Sequence, residues 1–207
     1  MRINILTHYT PSWKEIAAIT VPVLERYCKR HGYKLDVYEC NSYQLYTGKE
    51  KILQALHNID DGDIGLVIDA DCLITNHNLS LHNFIDNDHD FYITKHVGNI
   101  NAGVFIVRKT EWLKKFLNYT LSEIGKEGVH CEQDGFAKWQ KEHPHDKKIK
   151  IVNHPAFNSL KYELYPEHGI QEEENGQWIE GKSFILHLPG VSMQRRVEIL
   201  KNTTITE

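Results

Sequence analysis

The chain has 207 residues, 24 Lys and Arg against 28 Asp and Glu, a formal charge of -4 and 41% apolar residues. A chain of this length buries roughly 70% of its unfolded surface, enough for one core without staples, and its interspersed acids and bases argue against nucleic acid as a partner. No apolar run reaches the roughly 18 to 20 residues of a membrane span, and Met1 leads directly into a strand pattern rather than a signal segment. A cytoplasmic protein without a transmembrane segment is expected. Cys28, Cys40, Cys72 and Cys131 are widely spaced, with no CxxC pair, and are expected to be free thiols.

In chain order, Ile3 to Thr7 is an apolar run of strand length, and Trp13 to His31 places Ile16, Ile19, Val23, Leu24 and Tyr27 at helical spacing. Gly32 ends that helix, Lys34 to Tyr38 alternates as a strand, and Asn41 to Gly48 has turn chemistry. A second helix is predicted from Lys49 to Asn58, then a turn at Asp60 to Asp63. Ile64 to Ile68 follows as a strand covered on both faces, the candidate central strand. Phe91 to Thr94 and Val104 to Arg108 read as strands, Thr110 caps a helix running to about Gly125, and another helix spans Glu132 to Glu142. Ile149 to Gly181 has a strand signal at Lys150 to Val152 but no clear period, and reads as a long functional excursion. Phe184 to Leu186 is a last strand, and Gly190 to Lys201 a closing helix. Alternating β and α elements predict a mostly parallel three-layer α/β/α sheet with ligands outside the carboxyl ends of its strands.

The sharpest motif is Asp69-Ala70-Asp71, two carboxylates at the end of the apolar strand Leu66-Val67-Ile68. Strand alternation would turn both to one side, where their oxygens can converge on a hard divalent cation. The plain alternative is a solvated pair opening an Asx turn before Asn76. His187-Leu188-Pro189-Gly190 follows the last apolar strand, and its imidazole would add a nitrogen ligand, which suits Mn²⁺. Asn101-Ala102-Gly103 and Glu132-Gln133-Asp134-Gly135 set amides and acids beside glycines read as tight turns, suited to sugar hydroxyls. Otherwise they are an ordinary turn and a helix N-terminus favoured by the macrodipole.

Taken in order, these segments resemble the metal-dependent GT-A glycosyltransferases, especially the retaining members related to glycogenin and bacterial galactosyltransferases. The resemblance runs from Ile3 to about Arg196. It implies a GT-A, nucleotide-diphospho-sugar transferase fold in a single domain over 1–207, with a nucleotide-sugar half (1–95) and an acceptor-side half (96–207). By resemblance, Asp69 and Asp71 with His187 hold Mn²⁺ or Mg²⁺, and Asp69, Ala70, Asp71 and Gly190 contact the donor. Thr7, His8 and Tyr9 floor the nucleotide pocket, with Tyr9 stacking on uracil; Lys51, Asn101 and Gly103 also contact the donor, and Gln133 lies near the anomeric carbon. The family's Lys after the HxxG element is absent, leaving Arg195, or else Arg196, to meet the phosphate. The chain is also similar to N-terminal glycosyltransferase domains of larger chlorovirus proteins, which implies a viral enzyme of the host cytoplasm, continuous with further domains in a longer chain.

The implied reaction moves a hexose from a UDP-sugar to a glycan acceptor. UDP-glucose is the first expectation, with UDP-galactose and UDP-rhamnose as alternatives. Retention follows the resemblance. Gln133 cannot act as a base, and Asp134 and Glu132 remain for hydroxyl binding or as nucleophile or base. Two rival readings stand beside it: a haloacid-dehalogenase-type phosphatase with Asp69 as nucleophile, and a carbohydrate-binding module without turnover. For the acceptor, Tyr162, Tyr165, Trp178 and Glu172-Glu173-Glu174 of the excursion are candidates, against a loop simply packed by its own aromatics.

Overall fold

The structure, a computed structural model, describes residues 1–40, 44–96, 99–152, 157–165 and 177–207. Strand β1 (Ile3–Tyr9) is buried over all but its last residue and leads through a 3-10 turn at Pro11–Trp13 into α1 (Lys14–His31). That helix buries Ile16, Thr20, Val23, Leu24 and Tyr27 along one stripe. It stops at Gly32, whose φ of 69° suits a residue without Cβ. β2 (Lys34–Glu39), α2 (Gln44–Asn58) and β3 (Ile64–Asp69) complete a β-α-β-α-β run whose strands pair in parallel in the order β2-β1-β3.

The second half continues with β4 (Cys72–Ile74), β5 (Phe91–His96), β6 (Asn99–Arg108), α3 (Glu111–Glu123), α4 (Glu132–Glu142), β7 (Ile149–Ile151), β8 (Ile185–His187) and α5 (Met193–Asn202). The main sheet has the order β2-β1-β3-β6-β5-β7, and of these six strands β6 alone runs against the others. The predicted mostly parallel α/β architecture is the one observed.

Strand alternation builds a core on each face. Ile5, Leu66, Ile68, Val104 and Ile106 cluster with Leu24 and Tyr27 of α1 and Ile74 of β4. Leu6, Val67, Phe105 and Val107 cluster instead with Ile52 of α2, Phe116 of α3 and Phe136 of α4. A third cluster joins Ile16 of α1, Leu73 of β4, Leu186 of β8 and Leu200 of α5. No described helix is long and apolar enough to cross a membrane.

Two expectations change. Helix α2 begins at Gln44 rather than Lys49, because Gly48, read as a turn residue, lies within the helix where a Cβ would sit 2.2 Å from Glu132 Oε2. Residues 41–43 of the predicted turn lie outside the described residues. The other change is β4, which follows Asp71 directly and pairs antiparallel with β8, setting Cys72 opposite His187. Three residues outside the main sheet give too short a run for periodicity to reveal.

Gly135 is likewise a close-approach residue and not part of a turn: a Cβ there would lie 2.6 Å from Thr120 Cγ2 on α3. Gly135→Ala should therefore lower stability by about 1–3 kcal/mol, despite a helix-propensity gain of about 1 kcal/mol. Thr120→Ser removes the obstructing methyl and keeps the hydroxyl bonded to Phe116 O. In urea melts the double variant should recover to wild-type stability or above it.

Candidate active site

At the carboxyl end of β1 and β3, His8 and Asp69 stand in register. The N-terminus of α4, the start of β6 and the segment after β8 close around them. The result is a cavity of about 890 Å³, walled by His8–Trp13, Lys51, Asp69–Asp71, Asn101–Gly103, Cys131–Gln133, His187, Pro189, Gly190 and Arg196. Motifs far apart in sequence therefore meet on one surface.

Lys51 Nζ lies 2.6 Å from both Asp69 Oδ1 and Glu132 Oε1, and donates to Ala102 O at 3.3 Å. Burial alone would lower the Lys51 pKa, but the two carboxylates more than offset it and leave it raised, so the ammonium persists. His8 Nε2 is 3.7 Å from Asp69, yet burial, with Lys51 assisting, lowers its pKa to about 3 and keeps it neutral. β3 ends at Asp69 and the chain turns at Ala70, whose carbonyl accepts from Thr20 Oγ1 at 3.0 Å. Asp71 consequently meets a different set of partners. Its Oδ2 lies 3.1 Å from Arg196 Nε, and its Oδ1 is 3.7 Å from His187 Nε2. Burial raises the pKa of both aspartates, while Lys51 for Asp69 and Arg196 for Asp71 act in the opposite direction.

A carboxylate oxygen of Asp71, a ring nitrogen of His187 and the Cys72 sulfur lie within 4.8 Å of one another. Burial holds the Cys72 pKa well above the ordinary thiol value, and its Sγ donates to Gly103 O at 3.7 Å. Asp71 and His187 stand farther apart than a hydrogen bond, so neither uses up the other's lone pair. This oxygen and imidazole pair, with Asp69 beside it, fits Mn²⁺ or Mg²⁺. Room for the imidazole depends on Gly103. This glycine lies within β6, not in a turn as expected, and a Cβ on it would come within 2.2 Å of His187 Cε1.

Most of the residues singled out in the sequence line the cavity: His8, Tyr9, Lys51, Asp69, Ala70, Asp71, Asn101, Gly103, Glu132, Gln133, His187 and Gly190. Gly190 takes a φ of 71°, which accounts for glycine there. Three do not line it. Thr7 is buried in β1 beneath it. Asp134 folds back to cap α4, its Oδ2 accepting from His130 N at 2.8 Å and Cys131 N at 3.3 Å. Arg195 pairs with Glu198 at 2.7 Å and lines a neighbouring cavity of about 310 Å³ with Leu164, Tyr165 and Ser192. Arg196 takes the inward position instead.

Sequence reasoning missed two contributors. Trp13 walls the cavity from the turn after β1 and stacks under Arg196, 4.5 Å from ring centroid to guanidinium carbon. Asn158, buried in the irregular excursion, donates to Asn101 Oδ1 at 3.1 Å, and Gly103 N donates to the same oxygen at 3.0 Å. The Asn101 carbonyl is thereby occupied and its NH₂ is left for the cavity. Position next to a strand end could have flagged Trp13; nothing local marks Asn158. Of the acceptor candidates, Trp178 is buried and donates to Thr75 Oγ1 at 3.1 Å, and Tyr165 is buried and donates to Pro189 O at 2.8 Å. Trp178 is a packing residue of the excursion, Tyr165 also lines the smaller cavity beside Arg195, and Glu172 to Glu174 lie outside the described residues.

No protein-family model matches the chain, and no curated protein matches it. Solved structures do. A glycosyltransferase involved in the glycosylation of the major capsid of PBCV-1 superposes with a TM-score of 0.73 at 20% identity, covering 97% of this chain and 99% of that one. The galactosyltransferase LgtC, in complex with donor and acceptor sugar analogues, gives 0.62 at 12% identity, with 99% and 97% covered. Mouse xyloside xylosyltransferase 1 in its apo form gives 0.56 at 12%, with 92% and 98% covered. At these identities the likeness is one of fold, and the fold is GT-A.

The buried ion-pair triad gives a pH-dependent prediction. Lys51→Met leaves Asp69 and Glu132 without their shared cation, and should cost about 3–5 kcal/mol at neutral pH. In that variant the burial that raises the Asp69 pKa acts without the opposing charge of Lys51, so its folded-state value lies above the unfolded one. The variant's stability should thus be highest in acid and fall as pH rises through the folded-state value. Urea midpoints of variant and wild type should diverge as pH rises above the ordinary carboxylate range, and Lys51→Met/Glu132→Gln should recover part of the loss.

Proposed function

We propose that this chain is a metal-dependent glycosyltransferase that moves a hexose from a UDP-sugar to a hydroxyl of a glycan acceptor, with retention of anomeric configuration. UDP-glucose is the donor placed first, ahead of UDP-galactose and UDP-rhamnose. The observation that carries this reading is the convergence of Asp69, Asp71, His187, Asn101 and Gln133 on one cavity of a GT-A fold. A neighbour solved with donor and acceptor sugar analogues, and another involved in glycosylating a viral capsid, agree with a sugar donor and a glycan acceptor.

Charge supports the metal requirement. Three carboxyl groups line the cavity, Asp69, Asp71 and Glu132, beside Lys51 and Arg196, with His8 neutral. A nucleotide diphosphate entering without a cation would bring its charge against those carboxyl groups. Asp71 and His187, with Asp69 adjacent, would hold Mn²⁺ or Mg²⁺, which when bound supplies Lewis-acid stabilisation of charge growing on the leaving diphosphate. Lys51 opposes the upward shift that burial gives Asp69, and the Asn101 NH₂ donates to a donor oxygen.

Retention is supported by how the carboxylates at the start of α4 are already paired. Glu132 is held by Lys51, Asp134 caps α4, and Gln133 accepts from Ala102 N at 3.1 Å through Oε1, so that its NH₂ is the group presented to the sugar. None of the three α4 residues offers an unpaired carboxylate behind a reacting carbon. That arrangement suits attack on the face of the leaving group, with the departing phosphate accepting the acceptor's proton.

Isothermal titration with UDP-sugars should show binding with Mn²⁺ that disappears with EDTA. Asp71→Asn, which keeps a partner for Arg196, should weaken that binding by at least the roughly 10- to 100-fold that loss of a metal's outer-shell partner costs. Equal affinity in EDTA would overturn the metal site. NMR of the product should show the donor's anomeric configuration kept, and Gln133→Ala should lower kcat by about 10- to 100-fold with little change in KM; an inverted product would remove the assignment of Gln133.

A further inference from the structure

The ladder between β5 and β6 breaks at the cavity wall. Ile93 pairs with Phe105 but the next residue, Thr94, pairs with Asn101, so Ala102, Gly103 and Val104 are looped out of register with β5. The main-chain groups freed at Ala102 and Gly103 are taken by side chains. Ala102 N donates to Gln133 Oε1 at 3.1 Å and Ala102 O accepts from Lys51 Nζ, while Gly103 N donates to Asn101 Oδ1 at 3.0 Å and Gly103 O accepts from Cys72 Sγ. Asn158 closes the mouth of this bulge. It is fully buried, and its Nδ2 donates to Asn101 Oδ1 at 3.1 Å and to Thr94 Oγ1 at 3.3 Å, the two residues at which the ladder resumes. Its own Oδ1 is buried without a partner among the described residues, which lowers stability, so packing alone does not account for an asparagine here.

We infer that Asn158 is a positioning residue for the donor sugar, clamping the bulge and locking the Asn101 amide with its NH₂ toward the cavity. This rests on the donor reading above and deepens it. The orientation follows from one unambiguous group. A backbone N–H only donates, so the atom of Asn101 that faces Gly103 N is the oxygen; that oxygen only accepts, so Asn158 meets it with NH₂. With Gly103 N alone the amide could swing about a single bond, whereas two donors converging from different elements fix its plane and its place. Asn158 is itself tethered, because the next residue, Ser159, donates from N to Ile185 O at 2.9 Å and accepts from His187 N at 2.8 Å. One short segment of the excursion thus sets Asn101 of β6 relative to His187 of β8.

The test titrates UDP and UDP-sugars with Mn²⁺ into wild type, Asn158→Ala, Asn158→Leu, Asn101→Ala and Asn101→Ala/Asn158→Ala, and takes the urea midpoint of each. UDP lacks the sugar, so its affinity reports the rest of the site. Asn158→Leu fills nearly the same space and should fold even where Asn158→Ala does not. Each Asn158 variant should weaken the UDP-sugar that binds wild type tightest by about 3- to 10-fold, with UDP affinity within about twofold of wild type. In the Asn101→Ala background, replacing Asn158 should change UDP-sugar affinity by less than about twofold yet still shift the urea midpoint, since the bond to Thr94 is lost in either background. A merely structural Asn158 would weaken UDP and UDP-sugar alike, or weaken the UDP-sugar equally with and without Asn101. Either result overturns the inference and leaves the transferase reading in place. In wild type, the Asn101 side-chain NH₂ resonance should move on adding the UDP-sugar and not on adding UDP; an unmoved resonance likewise overturns the inference. Wild type that binds no UDP-sugar overturns the transferase reading and this inference together.

Discussion

Lys51 ties the active end of the molecule together. A lysine that is 5% exposed can remain charged only where carboxylates surround it, and here they come from two other elements, Asp69 at the end of β3 and Glu132 at the start of α4. The same ammonium reaches Ala102 O at the start of β6. One cation thus fixes α2, β3, β6 and α4 relative to each other at the end of the sheet where strand carboxyl ends open a crevice. Gln133 is a consequence: with Glu132 anchored, the next side chain lands on Ala102 N and at the cavity wall.

A second constraint is steric and involves glycine. His187 arrives from the two-stranded β4-β8 ribbon, which is not part of the main sheet, and its ring lies against Gly103 of β6. The β4-β8 register sets Cys72 opposite His187, so Asp71, one residue before Cys72, is carried to the same place. The histidine reaches the aspartate because a three-residue ribbon pairs in this register and because β6 has no Cβ at the crossing. Gly48 performs the same service for Glu132 and Gly135 for Thr120. In each case the glycine marks close packing, not a bend.

That distinction explains how far the sequence could be read. The long elements were legible: the α1 stripe, the continuous apolar β3 and the α4 span all follow from period and capping. Asp69, Asp71 and His187 were legible because polar groups at the ends of apolar strands stand out. What escaped has a common physical origin. Glycine carries the same local signal whether it turns the chain or admits a neighbour, so the sequence around Gly48, Gly103 and Gly135 has the signature of turns. Asp134 has the composition of a reacting group and the position of a helix cap, and the local hydrogen bonds to His130 and Cys131 decide it. Asn158 acts through Asn101 across 57 positions of chain, within a segment without period.

Buried charge at a binding site normally conflicts with folding, since each unpaired group costs several kcal/mol in desolvation. Here the conflict is resolved by pairing the groups with one another before any ligand arrives: Asp69 and Glu132 on Lys51, Asp71 on Arg196. Those pairs use only part of each group. Asp71 gives Oδ2 to Arg196 and holds Oδ1 3.7 Å from His187 Nε2. In the proposed reading a cation adds to contacts that already exist, without first dismantling them, and the free energy of organising these charges is met by folding.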